Sequence, residues 1–308
     1  MTTSIARDVD IVEVGPRDGF QGIDLFIPTE QKISFVERAA AAGLKRIEVG
    51  SFVSAAAIPQ LADTASVLKS ALSLSPVLPQ VLVPSEKRGK EAMENGARML
   101  VFVLSVSEPH NRNNVRRTPT ESAAEYQRLI ASVPEDVGIR LSLATAFDCP
   151  FAGRVDERET LAMIEHLLPC RPNVEICLCD TTGRADPDHV GTLFRAAVSA
   201  FGDSPTWSFH GHDTYGMGLA NVHAAFRQGV RIFDASFGGL GGCPFAPGAT
   251  GNVATEDVVW MFERMGIATG IDFGALIDLS CDAAAIPGAI SGGRAREALS
   301  AKRSVCVA

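Results

Sequence analysis

Short apolar, β-branched runs recur along the whole chain. They are DIVEVG (10–15), LKRIEVG (44–50), PQVLVP (79–84), RMLVFVLSVS (98–107), GIRLSLATAF (138–147), NVEICLCD (173–180), TWSFHGH (206–212) and VRIFDASFGG (230–239). Stretches of helical composition separate them, such as TEQKISFVERAAAAG (29–43), SEKRGKEAMENGA (85–97) and HVGTLFRAAVSAFG (189–202). In the first of these Ile33, Val36 and Ala40 recur at helical spacing, and Gly43 is a natural stop. The runs are apolar enough to be covered on both faces, which is the mark of a parallel sheet. Eight strand–helix units in 308 residues predict an α/β fold, a (β/α)8 TIM barrel, over an open doubly wound sheet. The barrel is expected to span residues 1–270, and residues 271–308 to form a short helical extension packed on it.

Active sites of such barrels lie at the C-terminal ends of the strands. Here those ends are polar and glycine-rich: GPRDGFQ after the first run, EVGSF after the second, DTTG after the sixth, HGHD after the seventh and GGLGGCPFAPGATGN after the eighth. Within FHGHDTYGMGLAN (209–221), His210 and His212 are two residues apart, so on a strand they face the same side. Two hydrogen-bonded core histidines would explain one inward ring better than two. An HxH at a barrel strand end favours a metal. Asp18, at the end of the first strand, can add a carboxylate, and Asn252, beyond the eighth, an amide oxygen. Two nitrogens and two oxygens suit Mg²⁺ or Mn²⁺ with positions left for substrate. Zinc would call for a cysteine or a third histidine, and Cys243 stands in a glycine-rich setting that reads as a mobile loop.

Composition narrows the picture further. A hydrophobic fraction of 46% and a mean hydropathy of +0.14 leave ample material for a core. A net charge of −8 without a basic run argues against a nucleic-acid partner. The N-terminus lacks a secretory pattern, and no apolar stretch approaches membrane-spanning length. Seven scattered cysteines, an odd number, predict reduced thiols in a cytoplasmic protein with no membrane partner.

Three stretches, VEVGPRDGFQ (12–21), FHGHDTYGMGLAN (209–221) and GGLGGCPFAPGATGNVATED (238–257), resemble the signatures of the 3-hydroxy-3-methylglutaryl-CoA lyase family. The resemblance runs from the first strand to the helix after the eighth. It implies an enzyme, a carbon–carbon lyase that splits an acyl-CoA thioester into acetyl-CoA and a 3-keto acid. It also implies bound Mg²⁺ or Mn²⁺ on Asp18, His210, His212 and Asn252, and a homodimer by analogy. His210 would then serve catalysis as well as the metal.

By that resemblance Arg17 is the catalytic arginine. A permanently charged guanidinium fixes an enolate or thioester oxygen with two contacts, although an ordinary ion pair with Glu13 is an alternative. Cys243 is implied as proton donor to the acetyl-CoA enolate, against a small residue in a tight turn. Asp180 is expected as an inward carboxylate acting as base or orienter, against a helix or turn cap. Glu48 is expected inward, supporting Arg17. Gln21 and Glu256 also match family positions. Arg112, Arg116 and Arg117 are candidates for coenzyme A, against a solvated loop.

Two departures bear on the acyl group. Gln21 is followed by Gly22 and Ile23 where Asn-Glu is common, and Thr182 stands where a bulky aliphatic is commoner, with Cys177 and Cys179 expected outward. These leave open a longer or more polar 3-hydroxy acid. A condensing enzyme or aldolase acting on a 2-keto acid, a metal hydrolase and a non-catalytic metal-binding barrel are the competing readings. Cys306, third from the end of the sequence, is a candidate for an intersubunit thiol contact, against an exposed tail cysteine with no role.

Overall fold

The computed structural model describes residues 7–243 and 246–305. Eight strands form the frame: β1 Asp10–Glu13, β2 Arg46–Ser51, β3 Leu78–Val83, β4 Met99–Ser105, β5 Gly138–Ala144, β6 Glu175–Asp180, β7 Thr206–Gly211 and β8 Ile232–Ala235. Each pairs in parallel with its sequence neighbours, and β1 pairs with β8 (Val12 opposite Asp234), so the sheet closes. This is the (β/α)8 TIM barrel expected from the runs, each observed strand falling within or within one residue of its predicted run.

Eleven helices lie among the described residues: α1 Thr29–Ala41, α2 Thr64–Ala71, α3 Glu86–Glu94, α4 Glu108–Val115, α5 Pro119–Ser132, α6 Glu157–Leu167, α7 Pro187–Phe201, α8 Gly218–Arg227, α9 Thr255–Arg264, α10 Phe273–Ala284 and α11 Arg294–Val305. Side-chain caps fix several of their starts. Thr118 and Glu121 form a reciprocal capping box on α5, and Asp186 accepts from His189 N at the head of α7. Helix α1 ends where Gly43 turns at φ +101°, with the Gly270 carbonyl so close that a Cβ would lie 2.6 Å from it. Its buried face centres on Lys32, Phe35, Val36 and Ala39, with Ile33 and Ala40 at the margin of the stripe.

The outer face of the sheet packs on the helices through residues such as Ile47, Leu141, Leu143, Ile176, Leu178, Phe209 and Phe233. The inner face is different. Arg46, Arg140, Glu175 and Asp234 are all buried within it and join one another across the interior. That settles the parity of β6. Glu175 bonds Arg46 and Cys177 bonds Arg140 Nη2 at 2.8 Å, so Glu175, Cys177 and Cys179 point into the barrel. The expectation that both cysteines face outward is thus corrected. Both faces of β6 are wholly buried, so hydrophobicity alone carries no signal of which face is which.

The candidate metal centre at the barrel mouth

Strand β1 does not run straight into a loop. The chain widens into one π-helical turn over Gly15–Gly19, in which Val14 O receives the N–H groups of Asp18 at 2.7 Å and Gly19 at 3.4 Å. That turn carries Arg17 and Asp18 over the mouth. Across the barrel, β7 delivers His210, and His212 follows it as an isolated bridge partner of Asn252. Asp18, His210 and His212 each offer a ligand atom, and these atoms lie within 4.8 Å of one another.

Asn252 completes the group. Its Nδ2 donates to Asp18 Oδ2 at 2.8 Å and to the Leu240 carbonyl at 2.9 Å, so Oδ1 is the atom that could turn toward a cation. Gln21 Nε2 donates to the other oxygen, Asp18 Oδ1, at 2.6 Å. The backbone passes so close to Asn252 at Gly241 (φ +125°) that a Cβ there would lie 2.6 Å from Nδ2.

Protonation states suit a cation. Burial would raise the Asp18 carboxyl, but Arg17, His210 and His212 outweigh it and bring it down to about 2. Burial, His210 and Arg17 together push His212 down to about 4, so its imidazole is neutral near pH 7. Its Nδ1 is buried with no hydrogen-bond partner among the described residues. A neutral imidazole with an unsatisfied nitrogen, beside an ionised carboxylate, fits a divalent metal ligand set. His210 differs: its Nδ1 lies 3.0 Å from Asp234 Oδ2, leaving Nε2 for the mouth. Burial disfavours its charge, yet Asp234 and Asp18 raise its pKa above the ordinary value.

Arg17 is held between two carboxylates. Its Nε donates to Glu48 Oε1 at 2.8 Å and its Nη1 to Asp18 Oδ1. Burial opposes the guanidinium charge, but Glu48 and Asp18 hold its pKa above the usual arginine value. The expected inward Glu48 is therefore found in contact with Arg17. The alternative pairing with Glu13 is not: Glu13 points outward from β1 and accepts from Gly15 N, Phe237 N and Thr255 Oγ1.

Asp180 stands on the parity opposite to Cys177 and Cys179, and its Oδ2 accepts from Ala185 N at 3.3 Å, which is the turn-capping contact. Its Oδ1 is buried without a partner among the described residues, and the charge of His210 bears on this carboxyl. Burial raises its carboxyl to about 6. Glu256, at the head of α9, is likewise buried and accepts from Gly238 N and Ser280 Oγ.

The Cys243 backbone belongs to a short hairpin, Gly242–Cys243 with Ala246–Thr250, rooted where Leu240 O meets Asn252. Its side chain, like all of Cys306, lies outside what the structure describes. The three arginines expected for coenzyme A follow β4, and two of them make contacts within the protein. Arg112 pairs with Glu108, Arg117 donates to the Pro84 carbonyl, and Arg116 is exposed at φ 60°. Of the two departures, Gly22 sits in open space, whereas buried Thr182 donates to Asp148 Oδ1 at 3.0 Å.

Asp234 and Arg140 belong to the same constellation, and no motif marks either of them. The signal was present: a lone charge inside a strand covered on both faces must have a partner. Asp234 is directly opposite His210 in the β7–β8 register.

A family model described as HMGL-like matches residues 8–282. The chain is 38% identical over 283 residues to the (R)-citramalyl-CoA lyase of Chloroflexus aurantiacus, covering 88% of this chain and 89% of that one. It is 36% identical over 300 residues to the 3-hydroxy-3-isohexenylglutaryl-CoA/hydroxymethylglutaryl-CoA lyase of Pseudomonas aeruginosa, covering 97% and 99%. The solved HMG-CoA lyase of Acinetobacter baumannii, in complex with coenzyme A and 3-methylmalate, superposes with a TM-score of 0.88 at 40% identity over 94% of each chain.

Proposed function

Because the chain belongs to the HMGL-like family and is a carbon–carbon lyase, we propose that it cleaves a 3-hydroxy-3-methylglutaryl-CoA-type thioester to acetyl-CoA and a 3-keto acid such as acetoacetate. The single observation that carries the reading is the Asp18, His210 and His212 cluster beside a guanidinium held by two carboxylates.

In a retro-Claisen cleavage the tertiary hydroxyl loses its proton and the bond to the carbon next to the thioester breaks. The electron pair passes to the thioester as an enolate, which takes up a proton to become acetyl-CoA. Mg²⁺ or Mn²⁺ held by Asp18, His210, His212 and Asn252 would supply a Lewis acid to the hydroxyl and a neighbouring substrate oxygen. Arg17 keeps its remaining N–H donors for the developing enolate oxygen, since Glu48 and Asp18 occupy Nε and Nη1. Cys243 is the proton donor to the enolate carbon in this reading. Asp180, raised to about 6 by burial, has a free Oδ1 that suits a proton acceptor near neutral pH. The exposed guanidiniums of Arg112 and Arg116 are proposed for the coenzyme A phosphates.

One specific observation favours a second reading, the (R)-citramalyl-CoA lyase relative at 38% identity. In that acyl group the carboxylate sits directly on the hydroxyl-bearing carbon, and cleavage leaves a 2-keto acid. The polar Thr182–Asp148 pair beside the site is compatible with a shorter, more polar acyl group. Five cysteines are free thiols among the described residues, and no helix there is long and apolar enough to cross a membrane, in keeping with a cytoplasmic placement. A homodimer is proposed by analogy alone.

The test is turnover of both thioesters by chelator-stripped protein resupplied with Mg²⁺ or Mn²⁺. Metal-dependent release of acetyl-CoA with acetoacetate supports the first reading, and release with a 2-keto acid the second. Absence of metal-dependent cleavage of either would sink both.

A further inference from the structure

Directly under the mouth, the barrel interior holds a run of alternating charges. Arg46 Nη2 donates to Glu175 Oε2 at 2.6 Å, and Arg140 Nε stands 3.2 Å from Glu175 Oε1. Arg140 Nη2 then donates to Asp234 Oδ1 at 2.7 Å, and Asp234 Oδ2 faces His210 Nδ1 at 3.0 Å. Arg140, Asp234, Glu175 and Arg46 are each nine-tenths or more buried.

Such a run is an expensive way to fill a barrel. Apolar side chains of similar volume are often as stable or more so than buried ion pairs. Its merit is geometric. Each carboxylate oxygen of Asp234 has one partner, so neither the carboxylate nor the ring above it is free to rotate. The Arg140 guanidinium, which can only donate, occupies Oδ1, so Asp234 stands as an acceptor toward His210. An acceptor-only group against Nδ1 requires the hydrogen to be on Nδ1, and in the neutral ring that a metal ligand needs this leaves the Nε2 lone pair bare.

We propose that Asp234, braced by Arg140, is a positioning residue for the metal centre: it fixes the His210 ring and its tautomer so that Nε2 is presented to the ion. The proposal rests on the metal reading above. Asp234 itself touches neither ion nor substrate. Its register opposite His210 on adjoining strands makes the contact a property of the sheet, not of a loop.

The test measures Mn²⁺ binding to chelator-stripped wild type and Asp234→Asn by the electron paramagnetic resonance of free Mn²⁺, with circular dichroism to verify folding. Removal of such an outer carboxylate typically weakens metal binding, and Asp234→Asn is expected to raise the Kd about 10–100-fold. A folded Asp234→Asn protein whose Kd is within about twofold of wild type would overturn the proposal. Wild type that binds no Mn²⁺ would overturn the metal reading itself, a separate and distinguishable failure. A second measurement does not depend on the variant folding. In the Mg²⁺-loaded wild type labelled with ¹⁵N-histidine, long-range ¹H–¹⁵N correlations, assigned against His210→Gln, should show His210 protonated at Nδ1 and bare at Nε2. Protonation at Nε2 instead would overturn the inference.

Discussion

Asn252 Nδ2 donates to Asp18 Oδ2 across 2.8 Å, joining side chains that are 234 residues apart in sequence. The contact ties the turn after the first strand to the segment after the last, and it sets the Asp18 carboxylate toward His210 and His212. Removing that carboxylate should therefore cost the metal. Asp18→Asn is expected to weaken Mn²⁺ binding on the order of 100-fold or more, given that outer-sphere partners alone are worth 10–100-fold. Titration of chelator-stripped protein measures it, and an unchanged Kd would remove Asp18 from the ligand set.

Arg17 poses a different test, because its role depends on shape as well as charge. The Nε contact to Glu48 cannot be reproduced by a lysine ammonium in the same place. Arg17→Lys is expected to lower kcat by roughly 10²–10³-fold, the magnitude for losing one oriented donor to a developing oxyanion. Mn²⁺ binding should change little, since the lysine keeps a positive charge near Asp18 and Arg17 is not itself one of the proposed ligands. Full activity in Arg17→Lys would reduce Arg17 to a counter-charge.

Cys243 should separate chemistry from metal binding. Cys243→Ala is expected to lose on the order of 10²–10⁴ in kcat, as for removal of a general acid, and to keep the wild-type Mn²⁺ Kd. Isotope exchange into the methyl group of acetyl-CoA should fall in parallel. Undiminished exchange in the variant would place the proton donor elsewhere.

Stability should carry a pH signature from Glu13. Burial lifts its carboxyl from the ordinary 4.5 up to about 8, so the folded state keeps a proton that the unfolded chain releases. The folded pKa is raised, so the contribution is full below about 4.5 and is lost as pH rises through about 8. Glu13→Gln mimics the protonated acid: its carbonyl can accept from Gly15 N and Phe237 N, and its amide can face the Thr255 hydroxyl. Thermal unfolding of the wild type should thus lose more stability between pH 5 and 8.5 than that of Glu13→Gln. Identical pH profiles would mean that Glu13 is ionised in the fold.

Much of this was legible in the residues. Eight apolar runs sufficed for the barrel because each is long enough for one strand and too short for a helix. The mouth was legible because polar and glycine-rich stretches follow the first, second, sixth, seventh and eighth runs. Strand parity was the weak point. Both faces of β6 are buried, so the local pattern does not say whether Cys177 and Cys179 or their neighbours share the inner parity, and one oxygen of Asp180 accepts from the turn at Ala185. The decisive clue was charge. Glu175 heads the same strand, and a buried carboxylate needs a cation that only the interior, through Arg46 and Arg140, supplies. Asp234 is hidden in the sequence for a related reason. Its importance comes from register opposite His210, a long-range pairing that no local pattern encodes.

The wide turn at Gly15–Gly19 makes the site a matter of chain length as much as composition. An ordinary helical turn advances about 100° per residue, whereas here the hydrogen bonds from Gly19 to Val14 and from Phe20 to Gly15 enclose one residue more. Shortening the segment by a single residue would let it relax to the commoner turn and swing Arg17 and Asp18 away from Glu48 and His212. Evolution can exchange side chains within this turn more freely than it can lose one position from it. Gain or loss of one residue between Val14 and Phe20 is therefore the change that would most abruptly retire the activity while leaving the barrel standing.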